Sequence, residues 1–369
     1  MFRLPPLVVE QRIDVSPALK WPAVVNGLFA ASPSLVLQRS PTTLQVISRP
    51  ALPLRESTAS AMAPVQPPQE PARTIKLFAT IVAMDAHEDR LVVALSSWIL
   101  RVYSLQSLQQ LDTLYGPSAL ILSVAMTRKR GSALVACSSL DGAIRVWDLD
   151  ARGVVLVAHA DEPCANIVLL SDWRVIARPD HEAERTRIVD VKRRSVTLLG
   201  ASRRPAPALA FWAKSRRRMF AVAPDESIAL RLPELDALDL GSLERAAVPF
   251  PPWLRQETVL DVAFAAGGRC LFACQAMMGD CLVVSEPGFK AWRALSVPQR
   301  VVAVGSVLSA SRCGTRAALL VNAPQFLKAP RQELLVVDAF ADDRARVVCV
   351  LASRLVPADV ARVVKAYLF

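Results

Sequence analysis

The sequence predicts an all-β chain of about seven units, each of four short antiparallel strands, followed by one short C-terminal helix. Three observations carry that expectation. Apolar residues make up 53% of the 369 residues, yet they come in short runs broken by Arg, Asp or Pro, as buried strands do. The stretch SSLDGAIRVWDL, Ser138 to Leu149, sets Asp141-Gly142 between the runs LVAC and IRVW. Asp-Gly between apolar runs is the strongest short hairpin signal, because Gly accepts the positive φ of a two-residue turn. From Ile81 onward such runs recur in quartets separated by polar turns.

Taken in order, the N-terminal region offers AVVNGLFAAS, SLVLQR and TLQVIS, with TIKLFAT after a break. That break, Arg49 to Arg73, is dense in Pro, Ala and Ser and poor in β-branched residues. It reads as a flexible loop within the first unit or a linker before the second. The next two units start at Ile81 and Ile121, and Tyr103-Ser104 in one takes the place of Trp147-Asp148 in the other. A further unit runs through NIVLL, RVIAR, TRIVDV and SVTLL, with Val189-Asp190 at the same point. Then come ALAFWA, MFAVAPDESIALRL and DALDL; VLDVAFAAGGRCLFACQ, CLVVS and WRALSV; and finally VVAVGSVL, RAALLV, ELLVVDAF and RVVCVLA. The tail LVPADVARVVKAYLF changes period. Val360, Val363, Val364 and Leu368 form an i, i+3, i+4 stripe of a short amphipathic helix.

The chain thus divides into N-terminal strands with part of a first unit (1–48), the loop or linker (49–73), the remaining units (74–354) and the tail helix (355–369). An isolated sheet of this kind leaves both faces wet, so the units must pack on one another around a closed ring, a seven-bladed β-propeller. Two modes of closure fit. A strand between Leu7 and Val15 can staple the N-terminus to the last unit, or RVVCVLA can supply that unit's own fourth strand.

The turn Asp141-Gly142 and the strand ending Trp147-Asp148 resemble one blade of a WD-repeat β-propeller. The strand period extends that resemblance over most of the chain. In that family a His, a Ser or Thr, the turn Asp and the strand Trp form a hydrogen-bonded network. Here Ala158-His159 resembles the Gly-His step, but its own unit carries Val189 in place of Trp, and Tyr115-Gly116 stands where the Asp141 unit would have its His. The resemblance implies a non-enzymatic scaffold for protein assembly, since such a ring is a platform and function lives in its loops.

Composition narrows the alternatives. Mean hydropathy is +0.32, yet no window approaches the ~18 apolar residues of a spanning helix. No secretory leader is expected at MFRLPPLVVEQRIDV, where Pro5-Pro6 cuts a short apolar run. Seven cysteines, mostly within apolar runs, read as free buried thiols in a reducing, cytoplasmic or nuclear setting. Cys270, Cys274 and Cys281 therefore read as core rather than as a zinc site. The three His fall in three units with no G-x-S-x-G, HExxH or phosphate-cradling loop nearby. No catalytic residue, cofactor or metal is thus assigned. Asp85, His87, Glu88 and Asp89 form the densest cluster of possible ligands and read as a solvated hairpin turn.

Charge is the remaining signal. The formal net charge is +11, and from Arg174 to Arg218 thirteen Arg or Lys face four Asp or Glu. Lys192, Arg193 and Arg194 fall in a third-to-fourth-strand turn, and Lys214, Arg216, Arg217 and Arg218 in the first-to-second-strand turn of the next unit. Arg128, Lys129 and Arg130 occupy the latter kind of turn two units earlier. Both turn types emerge on one rim, so the three clusters predict a basic arc for an acidic or phosphate-bearing protein partner. RNA binding, as an accessory subunit in ribosome biogenesis or RNA modification, is the alternative. Phosphoinositide binding is disfavoured, because Ser202-Arg203-Arg204-Pro205 lacks the aromatic-Arg-Arg-Gly form of that family.

Overall fold

Among the described residues the apolar runs form strands whose buried side chains pack between neighbouring sheets. The structure is a computed structural model. It describes residues 8–14, 29–30, 34–40, 42–48, 73–127, 131, 133–151, 153–160, 162–179, 186–199, 220–223, 225–231, 235–254, 258–265, 268–275, 280–297, 300–301, 308–310, 316–323 and 331–338. Among these a 3-10 turn, Pro287–Phe289, is described in full, and no α-helix occurs. The segment 49–72, the run RVVCVLA and the tail 355–369 lie outside the described residues.

Strand β1 is Val8–Asp14. Sheet I comprises β2 (Phe29–Ala30), β3 (Ser34–Ser40), β4 (Thr43–Ser48) and β5 (Arg73–Lys76); sheet II comprises β6 (Ile81–His87), β7 (Arg90–Leu95), β8 (Leu100–Ser104) and β9 (Gln110–Leu114). Sheet III is β10 (Ile121–Met126), β11 (Leu134–Ser139), β12 (Ala143–Asp148) and β13 (Gly153–His159), and sheet IV is β14 (Cys164–Leu169), β15 (Arg174–Pro179), β16 (Arg187–Asp190) and β17 (Ser195–Leu198). Sheet V is β18 (Phe220–Val222), β19 (Ile228–Arg231), β20 (Asp236–Asp239) and β21 (Arg245–Ala247), and sheet VI is β22 (Val259–Phe264), β23 (Cys270–Cys274), β24 (Cys281–Ser285) and β25 (Trp292–Ser296). Sheet VII holds β26 (Arg300–Val301), β27 (Leu308–Ala310), β28 (Arg316–Ala323) and β29 (Arg331–Asp338), with β1 as a further member.

All pairings are antiparallel, and sheets I to VI follow chain order. In sheet VII the two short pieces β26 and β27 pair with β28, β28 with β29, and β29 with β1 through Val9↔Val337 and Ile13↔Leu334. Of the two modes of closure, the structure shows the N-terminal staple. The Pro-rich segment joins β4 to β5, which are hydrogen-bonded neighbours, so it is an insertion within sheet I; Arg73 itself already belongs to β5.

One repeated feature organises every sheet among the described residues. The third strand ends in an apolar residue followed by Asp or Ser, and that polar residue faces the first residue of the second strand. The pairs are Ile47-Ser48, Tyr103-Ser104, Trp147-Asp148, Val189-Asp190, Leu238-Asp239, Val284-Ser285 and Val337-Asp338. The chemistry of the turn explains the residue type, because short Asp and Ser side chains accept bonds from backbone amides two or three residues on. Asp148 Oδ1 accepts from the amides of Asp150 and Ala151, Asp190 Oδ1 from that of Arg193, Asp239 Oδ1 from those of Gly241 and Ser242, and Ser104 Oγ from that of Ser107.

That register corrects the expected fifth unit. ALAFWA was expected as its first strand and DALDL as its last. The sheet instead opens at β18 and closes at β21, so Leu238-Asp239 ends its third strand. The run ALAFWA lies outside the described residues.

The core lies between sheets. Val36, Leu44 and Val46 of sheet I pack with Met84, Leu91 and Val93 of sheet II. Val92 and Val102 of sheet II pack with Val135 and Trp147 of sheet III. Equivalent clusters join III to IV, IV to V and V to VI. First strands also touch in sequence, β6 to β10, β14, β18, β22 and β27, and β27 meets β2, bringing sheet VII back to sheet I. Each side chain so buried contributes about 1.5–3 kcal/mol, which is why neither face of a sheet can be left bare.

Candidate functional site

Of the predicted basic arc, the described residues include Lys192, Arg193 and Arg194, in the turn between β16 and β17, the third and fourth strands of sheet IV. Lys192 Nζ lies 5.0 Å from the centroid of the Trp173 ring, a cation–π geometry. Arg193 Nη1 is 3.6 Å from Asp190 Oδ2 and remains largely exposed. Arg194 takes φ 52°, so it serves as the left-handed residue of the turn. Arg128, Lys129 and Arg130, and Lys214 with Arg216, Arg217 and Arg218, lie outside the described residues.

Their places in chain order still differ from expectation. The first trio falls between β10 and β11, a first-to-second turn as expected. The second cluster precedes β18, the first strand of its sheet, rather than following a first strand. Connections in an antiparallel sheet alternate between rims, so a connection into a first strand belongs to the rim opposite the Lys192 to Arg194 turn. The three clusters do not share one class of turn.

The motif residues are fully described. Asp141 and Gly142 form the tight turn between β11 and β12, with Gly142 at φ 75°, a conformation that L side chains rarely adopt. Asp141 Oδ1 accepts from Ser139 Oγ at 2.5 Å and the Ala143 amide at 2.9 Å, while Oδ2 accepts from Ser118 Oγ at 2.7 Å. Arg145 closes the network, its Nη2 being 2.9 Å from Asp141 Oδ2 and its Nη1 3.0 Å from Ser139 Oγ. Burial pushes the Asp141 carboxyl up, but Arg145, Ser139, Ser118 and the Ala143 amide outweigh it and hold the group well below the usual carboxylate range. Arg145 is the residue the sequence reading missed. Gly116 lies against it, at φ 141°, and a Cβ there would stand 3.5 Å from Arg145 Cδ and 3.7 Å from Trp147 Cζ2. A guanidinium from the third strand thus does the work expected of a His in the preceding loop.

Known structures bear on this architecture. No protein-family profile matches the chain, and no curated protein does. The solved structure of the WD40 repeats of RRP9 superposes with a TM-score of 0.56 at 12% identity, over 91% of this chain and 100% of that one. U3-55K gives 0.54 at 13% identity over 91% and 97%. A chain of the mitotic checkpoint complex gives 0.56 at 10% identity over 92% and 94%. The fold is that of a diverged WD-repeat β-propeller.

Neighbouring blades of the propeller are tied at their edges as well as through their cores. Arg90 Nη2 bonds Asp150 Oδ1 at 2.7 Å, Ser138 Oγ bonds the Cys164 carbonyl at 2.6 Å, and Ser171 Oγ bonds Glu226 Oε2 at 2.7 Å. Three arginines are buried in sheets IV and V. Arg231 is paired in two parallel bonds with Asp236 and reaches Thr186, Arg187 bonds the Ala160 carbonyl and Glu162, and Arg178 lies on β15. The cluster at Asp85 to Asp89 is not a solvated turn throughout. Asp85 and His87 are buried in β6, Asp85 Oδ2 accepting from the Met126 amide of the next blade at 2.8 Å, and Asp89 binds Ser104 Oγ.

The cysteines of β23 and β24 are free and buried, as read from the sequence. Cys274 faces Cys281 directly across the strands and donates to it, which lowers the Cys281 thiol and raises that of Cys274. Among the described residues no group of three or more His, Cys, Asp or Glu could hold a metal ion. No helix among them is long and apolar enough to cross a membrane.

Proposed function

We propose that this chain is a seven-bladed, non-enzymatic scaffold for protein assembly, which offers basic turns to an acidic or phosphate-bearing partner. The observation that carries the reading is the locking of sheets I to VI, each to the next, by a shared apolar cluster, and by bonds such as Arg90–Asp150 and Ser171–Glu226. Such locking holds the turns at fixed positions, so partner-binding residues are pre-organised by a rigid frame. Arg193 stands out from the third-to-fourth turn of sheet IV with most of its guanidinium in solvent. The connection from β10 to β11, in whose sequence Arg128 to Arg130 fall, is a first-to-second turn and opens on the same rim. The WD40 repeats of RRP9, U3-55K and the mitotic checkpoint chain share this fold, and the last of these is a chain of a multi-protein complex.

Reversing the charges of Arg193 and Arg194, alone and together with those of Arg128, Lys129 and Arg130, tests the reading. Cross-linking mass spectrometry in cells of origin should show a protein partner whose links map to these turns and fade in the reversed variants. A partner unaffected by both sets removes the basic rim from the proposal. Retention on single-stranded RNA, falling steeply between low and moderate salt and abolished by the same reversals, moves the assignment to the RNA-binding alternative.

A further inference from the structure

We propose that the rim opposite those basic turns carries a second, aromatic docking surface for a linear peptide in which a carboxylate adjoins a large apolar side chain. The inference rests on the scaffold reading only in requiring a protein partner. Four large apolar residues are exposed on connections that share this rim: Phe78 (60%) before β6, Trp98 (48%) between β7 and β8, Tyr115 (67%) before β10 and Leu140 (51%) between β11 and β12. Backbone bonds make them one arc. The Ser96 amide donates to the Thr80 carbonyl, and that of Leu140 to the Leu120 carbonyl. Leu100↔Leu114 sets Tyr115 beside the Trp98 turn. Four exposed large apolar side chains on adjoining connections of one rim call for an explanation that singly scattered ones do not.

Two further observations say what covers it. Arg101 lays its guanidinium 4.2 Å from the centroid of Phe78, and its Nε–H is buried without a hydrogen-bond partner. The turns 77–80, 96–99 and 115–120 hold no Asp, Glu, Lys or Arg, and Asp141 is already taken by Arg145 and Ser118. An arginine left without a carboxylate in an uncharged, aromatic surround is a receptor for an incoming one, and the flanking rings supply the apolar contact. A nucleic-acid strand is the poorer fit, because the turns 77–80, 96–99 and 115–120 offer its phosphates no Lys or Arg of their own. Trp98 also sits at φ 65°, where a bulky residue is strained and Asn or Gly is the residue of choice. A local fault that Asn would cure, kept at an exposed Trp, is what a recognition residue looks like.

The test takes a random library of peptides about twelve residues long, selects on the full chain, and measures synthetic labelled members by fluorescence polarisation. Selected peptides should carry Asp or Glu close to Leu, Phe or Trp. Changing that acid to its amide should weaken binding to the unaltered chain by about tenfold and leave binding to Arg101→Gln unchanged. Phe78→Ser and Trp98→Asn should abolish binding, with the Trp98→Asn melting temperature equal to or above that of the parent chain. The proposal falls if no peptide is selected, if acid and amide bind alike, or if an oligouridylate competes through the same residues. Peptides that ignore Phe78, Trp98 and Arg101 but are lost on reversing Arg193 and Arg194 overturn this surface and leave the scaffold reading standing. Peptides lost on none of these changes overturn both.

Discussion

Asp141 shows how much one side chain fixes. Its carboxylate orders Ser118, Ser139 and Arg145 from three places in the chain, so replacing it strands a nearly buried guanidinium. Asp141→Asn should cost roughly 1–3 kcal/mol at neutral pH. Its pH dependence follows from the direction of the shift. The folded-state carboxyl is held below the unfolded value of about 3.9, so its contribution is complete above that pH and fades as the pH falls further. Urea denaturation should therefore show the gap between the parent chain and Asp141→Asn narrowing below about pH 4; a constant gap refutes the assignment. The buried thiols make a second case. Burial pushes Cys137 up to about 12 and Cys164 up to about 11, so both should resist thiol reagents at pH 8 in the native chain and react once it unfolds. Trp147 makes a third, since its indole N–H is buried with no hydrogen-bond partner among the described residues. Trp147→Phe removes that unmet donor along with some packing, and should cost less than about 2 kcal/mol by thermal denaturation, below the range usual for truncating a buried aromatic.

The recurring element is the third strand with its closing Asp or Ser. Each of Asp148, Asp190 and Asp239 bonds amides of the following turn, and Asp→Ala at Asp148 or Asp190 should cost about 1 kcal/mol, with a smaller loss at the fully exposed Asp239. These sites lie in different sheets without shared partners, and a double variant should cost the sum to within about 0.5 kcal/mol, measured by denaturant midpoint. At this scale the sequence was readable where local chemistry decides. Asp141-Gly142 announces its turn, and Tyr103-Ser104, Trp147-Asp148 and Val189-Asp190 align by spacing alone. Leu238-Asp239 was hidden because the Ala-rich run before β18 looks like a strand, and only pairing with β19 and β20 sets the true first strand. What pairs across the fold was not readable at all. Phe78 and Arg101 stack although one lies in the connection before β6 and the other on β8, Glu226 reaches Ser171 in the preceding blade, and neither contact leaves a periodicity to find. Arg145 could have been suspected, since an Arg following a turn Asp within one hairpin lies within reach of it.

The whole ring depends on its first and last described strands finding each other. β1 pairs with β29 although almost the entire chain lies between them, so the final blade completes only when the rest is in place. Contacts of such separation form late and carry the largest loop-closure cost. Without β1, the outer edge of β29, eight residues with the sequence RQELLVVD, would be left unpaired, a ready template for another chain. Deleting residues 8–14 should therefore lower the melting temperature and produce concentration-dependent association by light scattering, and a synthetic peptide of that sequence should reverse the association. A covalent version reads the same contact directly. Val9 and Val337 face each other in register, within the span that a disulfide between opposed strands can bridge. Val9→Cys with Val337→Cys should cross-link under mild oxidation, migrate as a compact species without reductant, and unfold at a higher temperature, because the bond removes the open-ring states. If the pair stays reduced while the chain remains folded and monomeric, the ring is closed by some other strand.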